Sequence, residues 1–134
     1  MLEFFIPLKK IPRTTHQQKA VHVVKGKPVF YEPEKLKAAR TKFMYLFSRH
    51  IPEEKLKGPL SLTTKWFYHT TNKSIKDGQW KDTNPDTDNL VKLPKDCMTE
   101  LGFWEDDGNV ASELIQKFWV TESPGGIYVR IEEL

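Results

Sequence analysis

The segment NPDTDNLVKLPKDCMTELG, residues 84–102, predicts the helix around which this chain folds. Its apolar residues recur every three or four positions, which is the period of an amphipathic helix. These residues are Leu90, Leu93, Cys97 and Leu101. Gly102 stands where the helix is expected to end, because glycine adopts the left-handed capping conformation without strain. Pro94 lies inside the stripe, and we expect it to kink the helix or to delay its regular part.

A second amphipathic helix is predicted earlier in the chain. Pro33 suits a first helical position, Glu34 suits the first turn, and Pro52 is expected to end the helix. The apolar stripe of this helix consists of Leu36, Ala39, Phe43 and Phe47.

Strands are predicted on both sides of these helices. Alternating apolar residues predict a strand over residues 2–7, and Val21–Val24 and Lys27–Tyr31 flank the hairpin turn Lys25-Gly26. Another strand follows Gly58-Pro59. Its predicted inward face carries Leu60, Leu62, Thr64, Trp66 and Tyr68.

The last two strands are predicted over Val110–Val120 and around Ile127, Val129 and Ile131. The segment from Ser123 to Gly126 between them favours an antiparallel hairpin. Together these elements predict an α/β domain of the α+β kind. We expect a single domain, residues 1–134, with a mixed sheet of four to five strands and two main helices.

Composition narrows the class of protein. A chain of 134 residues with 38% hydrophobic and 12% aromatic residues can form a buried core. No apolar run approaches the roughly 20 residues of a membrane-spanning helix. The N-terminal residues resemble a strand more than a signal peptide. Cys97, the one cysteine, excludes an intrachain disulfide and a cysteine-built zinc site, so we expect a cytoplasmic protein with no membrane partner.

Charge is distributed unevenly along the chain. Residues 1–81 contain 17 Lys and Arg against 6 Asp and Glu, a net charge of +11. Residues 82–134 contain 4 against 12, a net charge of −8. Clustered cations suggest a polyanionic partner, because they gain affinity by releasing phosphate counterions. Two ordinary solvated surfaces would give the same composition, so charge alone leaves both interpretations open.

The acidic residues follow a pattern that favours a metal site. If Asp86 and Asp88 lie in an extended segment, both carboxylates point to the same side. Their mutual repulsion would become attraction around Mg²⁺, which prefers carboxylate and phosphate oxygens. If a helix begins near Asp88, Lys92 lies one turn further on the same face, where it could reach a phosphate.

Each residue also has a purely structural interpretation. Asp88 is a suitable N-cap, residues 106–109 form an ordinary turn sequence, and a lysine on a helix face usually has no specific role. A metal-dependent phosphodiesterase would explain the combination of these features. They are an Asp-x-Asp pair, a lysine one turn later and a second Asp pair beyond the helix.

This combination resembles the RusA-type Holliday junction resolvases, small nucleases of bacteria and their phages. Their pattern is Asp-x-Asp-Asn-Leu-x-Lys, a helix, Gly-Phe-Trp and an Asp pair. The present chain reads Asp86-Thr-Asp88-Asn89-Leu90-Val-Lys92 and then Gly102-Phe103-Trp104-Glu105-Asp106-Asp107. The match is strong over residues 84–110 and extends through the last two strands. Residues 1–83 agree in outline.

The resemblance implies a homodimer that binds four-way DNA junctions and makes paired, symmetric nicks with Mg²⁺, for which Mn²⁺ could substitute. By motif position, Asp86, Asp88 and Asp107 correspond to the catalytic, metal-binding carboxylates and Lys92 to the essential lysine. Asp106 is a further candidate metal ligand. The implied setting is the cytoplasm of a bacterial cell, with either the bacterium or a phage encoding the protein.

The basic residues of the N-terminal part, residues 1–83, are the candidate DNA contacts, and residues 84–110 form the acidic catalytic region. The candidate DNA-binding residues are Lys9, Lys10, Arg13, Lys25, Lys27, Lys73, Lys76 and Lys81. Two other functions fit the sequence. One is a non-catalytic nucleic-acid-binding module in which the carboxylates serve as caps and turns. The other is a nuclease that acts on flaps, single strands or RNA.

Overall fold

The computed structural model describes residues 1–13, 20–31 and 34–134. Six strands, two α-helices and one 3₁₀ turn are found there. The strands are β1 (Leu2–Pro7), β2 (Ala20–Val24), β3 (Lys27–Tyr31), β4 (Leu60–His69), β5 (Val110–Val120) and β6 (Gly126–Glu133), and the helices are α1 (Glu34–Ser48) and α2 (Thr87–Leu101). The 3₁₀ turn is Asp107–Asn109. The predicted α+β class, the four-stranded mixed sheet and the two main helices are confirmed.

The four-stranded sheet has the order β1-β6-β4-β5. β6 is antiparallel to both β1 and β4, whereas β4 and β5 are parallel. A parallel pair cannot be joined by a tight turn, so the chain between β4 and β5 crosses over through α2. β2 and β3 form a separate antiparallel pair. Lys25 and Gly26 at its tip have φ angles of 51° and 74°, as the predicted two-residue hairpin turn requires.

The prediction of an antiparallel hairpin between the last two strands was wrong. β4 lies between β5 and β6 and pairs with both. Alternation of apolar residues fixes which face a strand buries, but it does not fix which strand lies beside it. The glycines that suggested a hairpin turn instead allow a close approach to β1. The Leu8 N–H donates to the Gly125 carbonyl at 3.0 Å, and Gly126 pairs with Pro7.

Both helices supply apolar stripes to the core. All four stripe residues of α1 are buried, as are Leu90, Leu93 and Cys97 of α2, while Leu101 is half-buried. Phe47 and Phe103 meet edge to face, with ring centroids 6.3 Å apart. On β4, Leu60, Leu62, Thr64 and Trp66 are buried, and Tyr68 is half-buried. Helix periodicity and strand alternation therefore predicted the core well.

The observed ends of the two helices agree only in part with the ends predicted from the sequence. α1 ends at Ser48, four residues before Pro52, and Pro33 lies outside the described residues. α2 is helical from Thr87 through Pro94 to Leu101, so the expected delay of its regular part was wrong. Pro94 is buried, and its packing offsets the missing backbone donor. Gly102 caps α2 at φ 90°, and the Phe103 N–H donates to the Met98 carbonyl at 3.0 Å. None of the described helices combines the length and apolarity needed to cross a membrane.

Gly126 gives a direct test of this packing. A Cβ at this position, where φ is 147°, would lie 2.1 Å from the Ile6 carbonyl oxygen of β1. We expect Gly126→Ala to lower the free energy of unfolding by about 3 kcal/mol, because β1 must shift to accommodate the methyl group. Gly78, at φ 86° with open space around it, is the matched control, and Gly78→Ala should cost only about 1 kcal/mol. Urea unfolding measures both, and equal losses would contradict the close approach to β1.

Candidate active site

The first half of the acidic motif lies at the N-terminus of α2. Asp86 occupies the N-cap position in an extended conformation, at φ −67° and ψ 145°, and its carbonyl accepts the N–H groups of Asn89 and Leu90 at 3.2 Å. Its carboxylate makes no capping hydrogen bond. Asp88 lies in the first helical turn, so its structural interpretation as the N-cap was wrong. The premise that both aspartates are extended was also wrong, because the helix already begins at Thr87.

The carboxylates of Asp86 and Asp88 are left available to a ligand. Both residues are exposed, and Lys92 is half-buried one helical turn after Asp88, as predicted. Between described residues, no hydrogen bond or ion pair involves the side chains of these three residues. A carboxylate that acts only as a cap would accept a backbone N–H, and Asp86 does not.

A group of cations lies beside Asp86. The Lys117 amine, on β5, donates to the carbonyl oxygens of Thr83 and Pro85 at 2.6 and 2.7 Å. The Lys81 amine donates to the Thr83 hydroxyl at 2.7 Å and lies 4.0 Å from the centre of the Trp119 ring. Burial lowers the pKa of Lys81, and the positive charges of Lys117 and Arg13 lower it further. Repulsion between these cations favours an incoming anion at this position.

Lys81, which the sequence analysis selected as a candidate DNA contact, is largely buried. Its side chain is 8% exposed and packs over the rings of Tyr68 and Trp119. Sequence reasoning also missed Lys117. The signal was present, because Lys117 alternates with Ile115 and Trp119 on the face of β5 that meets the helices, where an unpaired lysine would be costly.

The second half of the motif lies at the other end of α2. Asp107 begins the 3₁₀ turn, and its Oδ1 accepts the hydroxyl of Thr99 and, at 3.4 Å, the indole N–H of Trp104. That indole also donates to the Thr99 hydroxyl at 2.7 Å. Asp106 caps the turn, because its Oδ2 accepts the Gly108 N–H at 2.8 Å while its own N–H donates to Asn109. The structural role weighed for this turn is therefore correct for Asp106.

α2 keeps the two halves of the motif apart. Asp88 and Thr99 are eleven residues apart on one helix, which is roughly 16 Å along its axis. Across the described ranges, no group of three or more His, Cys, Asp or Glu residues is placed to hold a metal ion. Asp86 and Asp88 therefore lie at the opposite end of α2 from Asp106 and Asp107, and the assignment of these aspartates to one metal site stays a prediction.

The other candidate DNA-binding residues occupy separate exposed positions. Lys10 and Arg13 line a groove of about 420 Å³ against α1, where Lys35 and Lys42 add two cations that the sequence analysis did not select. Lys9 is exposed beside this groove. Lys25 and Lys27 lie at the tip of the β2–β3 pair, and Lys73 and Lys76 lie in the turns after β4.

Thr99 is expected to position Asp107 and Trp104. Thr99→Val removes the hydroxyl that bonds both, so the fully buried indole loses its 2.7 Å partner. We expect the free energy of unfolding to fall by about 1–3 kcal/mol, because the buried indole N–H keeps only its longer bond to Asp107, at 3.4 Å. Thr99→Ser keeps the hydroxyl and is expected to retain most of the stability. Urea unfolding followed by tryptophan fluorescence compares the two, and equal stability of the valine variant would show that the hydroxyl is dispensable.

Comparison with known proteins identifies the family of this chain. The family model described as endodeoxyribonuclease RusA matches residues 10–132. A protein of Lactococcus phage r1t, named crossover junction endodeoxyribonuclease rusA, is 35% identical over 115 residues, which are 81% of this chain and 81% of the phage protein. The uncharacterized protein YqaN of Bacillus subtilis (strain 168) is 29% identical over 116 residues, 78% of this chain and 80% of that protein. The chain therefore belongs to the RusA endodeoxyribonuclease family.

Proposed function

We propose that this protein is a structure-selective endonuclease that resolves Holliday junctions by paired, symmetric nicks in the DNA backbone. The main support for the proposal is the exposed, uncapped environment of the Asp86 and Asp88 carboxylates. They are exposed carboxylates at the start of α2, free of any capping role and adjacent to a group of cations. Family membership supports an endodeoxyribonuclease, and the phage r1t relative is named for crossover junctions.

The cations near Asp86 suit the binding of a DNA phosphate. Arg13, Lys81 and Lys117 are close enough for their charges to act on one another, and the α2 N-terminus adds its partial positive charge. A phosphate placed there would lie beside the carboxylates that we assign to catalysis. Lys92, one turn along α2, is assigned to the stabilisation of charge on the reacting phosphate.

Contacts remote from the reacting phosphate would hold the arms of the junction. We assign them to Lys10, in the groove beside α1, with the neighbouring Lys9, to Lys25 and Lys27, and to Lys73 and Lys76. Because such contacts release counterions, binding should weaken steeply with salt.

The proposed cofactor is Mg²⁺, for which Mn²⁺ could substitute, and the proposed assembly is a homodimer in a bacterial cytoplasm. A bound divalent cation would supply charge neutralisation and an activated water. The proposed ligands are Asp86, Asp88 and Asp107, with Asp106 as a weaker candidate because its carboxylate already caps a turn.

Asp88→Asn separates catalysis from binding. We expect cleavage of a four-way junction to fall by at least about 100-fold, because the amide cannot replace the carboxylate in the chemical step. Junction affinity measured by fluorescence anisotropy in Ca²⁺ should change little. Asp82→Asn is the matched control, since Asp82 is an exposed aspartate outside the motif. Cleavage by Asp88→Asn at the wild-type rate would refute its catalytic assignment.

Substrate and metal are tested together in one gel assay. Labelled four-way junction, flap, duplex and RNA hairpin are each incubated with Mg²⁺, with Mn²⁺ and with EDTA. We expect paired nicks in the junction with either metal and none with EDTA. Cutting of the flap or RNA in preference would identify a different nuclease specificity, and binding without cutting in every metal would favour a non-catalytic module.

A further inference from the structure

We propose that Trp80 is a stacking site for an unpaired DNA base, next to the phosphate that the cations beside Asp86 would hold. The inference deepens the proposed function, because it names a part of the DNA that the site contacts, and it rests on that function for the position of the reacting phosphate. Trp80 is 62% exposed, which is unusual for so large an aromatic side chain.

The backbone around Trp80 is paired with the outer edge of β5. The Lys81 N–H donates to the Lys117 carbonyl at 3.0 Å, and the Gln79 carbonyl accepts an N–H of β5 at 2.7 Å. Trp80 itself forms an antiparallel bridge with Phe118. The ring is therefore carried by the edge of the sheet, in a fixed position before any ligand binds, and this lowers the entropy cost of stacking.

One side of the Trp80 ring is packed and the other is open. The indole lies against Phe118, with ring centroids 4.6 Å apart, and Phe118 stacks in turn on Phe67, with centroids 5.4 Å apart and ring planes at 17°. Both phenylalanines are half-buried, on the face of the sheet opposite the helices. Because these contacts use one side of the indole, its exposed side can receive another flat ring.

Trp80 and Lys81 lie on opposite sides of this sheet edge, because successive side chains of an extended segment alternate. The Lys81 amine is 4.0 Å from the centre of the Trp119 ring, on the side that carries the helices. The carbonyls that lead into Asp86 are held on that same side. A DNA strand whose phosphate lies against these cations can therefore place its neighbouring base across the edge, on Trp80.

Lysines also lie in the segment that carries this ring. Lys73 and Lys76 are exposed in the turns that precede Trp80. Asp77 is held by the turn after β5, because its carboxylate accepts the Thr121 N–H at 2.7 Å. An open aromatic ring beside lysines matches a single strand of DNA, whose bases stack and whose phosphates are anionic. An apolar protein surface would leave these lysines without partners, so charge favours DNA as the occupant.

The first experiment separates bases from phosphates. Oligothymidylate and an abasic oligomer of the same length carry the same phosphates, but only the first has bases to stack. Fluorescence anisotropy in Ca²⁺ at fixed salt measures both affinities. We expect wild-type protein to bind oligothymidylate at least about fivefold more tightly, the smallest factor expected for one stacked base. Trp80→Ala should bind the two oligomers equally, and Trp80→Phe, which keeps a ring, should retain most of the preference.

Tyr45→Ala is the matched control, because Tyr45 is 59% exposed and lies on α1. This variant should keep the full preference for bases. Urea unfolding verifies that Trp80→Ala is folded. If folded Trp80→Ala still prefers oligothymidylate by the wild-type factor, the stacking site is overturned.

The second experiment follows tryptophan fluorescence. Trp66 and Trp104 are fully buried and Trp119 is half-buried, so a base that stacks on the protein quenches chiefly Trp80. We expect saturating oligothymidylate to quench the wild-type emission and the abasic oligomer to leave it unchanged. Trp80→Phe should lose this quenching while it keeps most of the affinity. Quenching that persists in Trp80→Phe would place the base at another tryptophan and overturn the assignment.

The third experiment places the base in a branched substrate. Two four-way junctions differ only at the branch point, where one carries an unpaired thymidine and the other an abasic residue. Wild-type protein should bind the thymidine junction more tightly, again by at least about fivefold, and Trp80→Ala should not distinguish the two. Equal binding of both junctions by wild-type protein would contradict stacking at the branch point.

The outcomes separate the two proposals. Wild-type protein that cuts no junction would refute the proposed function, while the two oligomers still decide whether Trp80 stacks a base. Wild-type protein that cuts junctions but binds both oligomers equally would overturn the stacking site alone. A Trp80→Ala variant that sediments more slowly yet keeps its preference for bases would show that the ring packs against protein, which also overturns the stacking site.

Discussion

The parallel pairing of β4 and β5 decides where the two ends of α2 lie. Parallel neighbours need a crossover, and here α2 provides it. The chain therefore enters α2 beyond the C-terminal end of β4 and returns to the sheet at the start of β5. The two halves of the acidic motif flank α2, so the same constraint places them at opposite ends of one helix.

Each end of α2 is anchored in a different way. At its N-terminus, Lys117 of β5 holds the carbonyls of Thr83 and Pro85, which fixes the approach to Asp86 without using its carboxylate. At its C-terminus, Thr99 and the buried Trp104 hold Asp107 through one carboxylate oxygen. These contacts use backbone carbonyls at one end of α2 and Asp107 at the other, so the carboxylates of Asp86 and Asp88 remain available to a ligand.

Much of this fold was predictable, because the spacing of apolar residues along a helix or a strand shows which face is buried. The stripes of α1 and α2 and the inward face of β4 follow from spacing alone. The position of β4 between β5 and β6 could not be predicted from spacing. Strands pair through backbone groups, and these do not depend on the identity of the residues. For the same reason, the sequence analysis grouped the four aspartates because they are close along the chain. In the structure, the 15 residues of α2 separate the two pairs in space.

Repulsion between carboxylates explains why it is favourable to keep the two halves of the acidic motif apart. Two carboxylates at one helix start already repel each other, and a third fixed beside them in the folded chain would cost further stability without a cation. Here, the helix N-terminus and the cations around Lys81 offset the first pair, while Asp107 is stabilised separately by two hydrogen bonds.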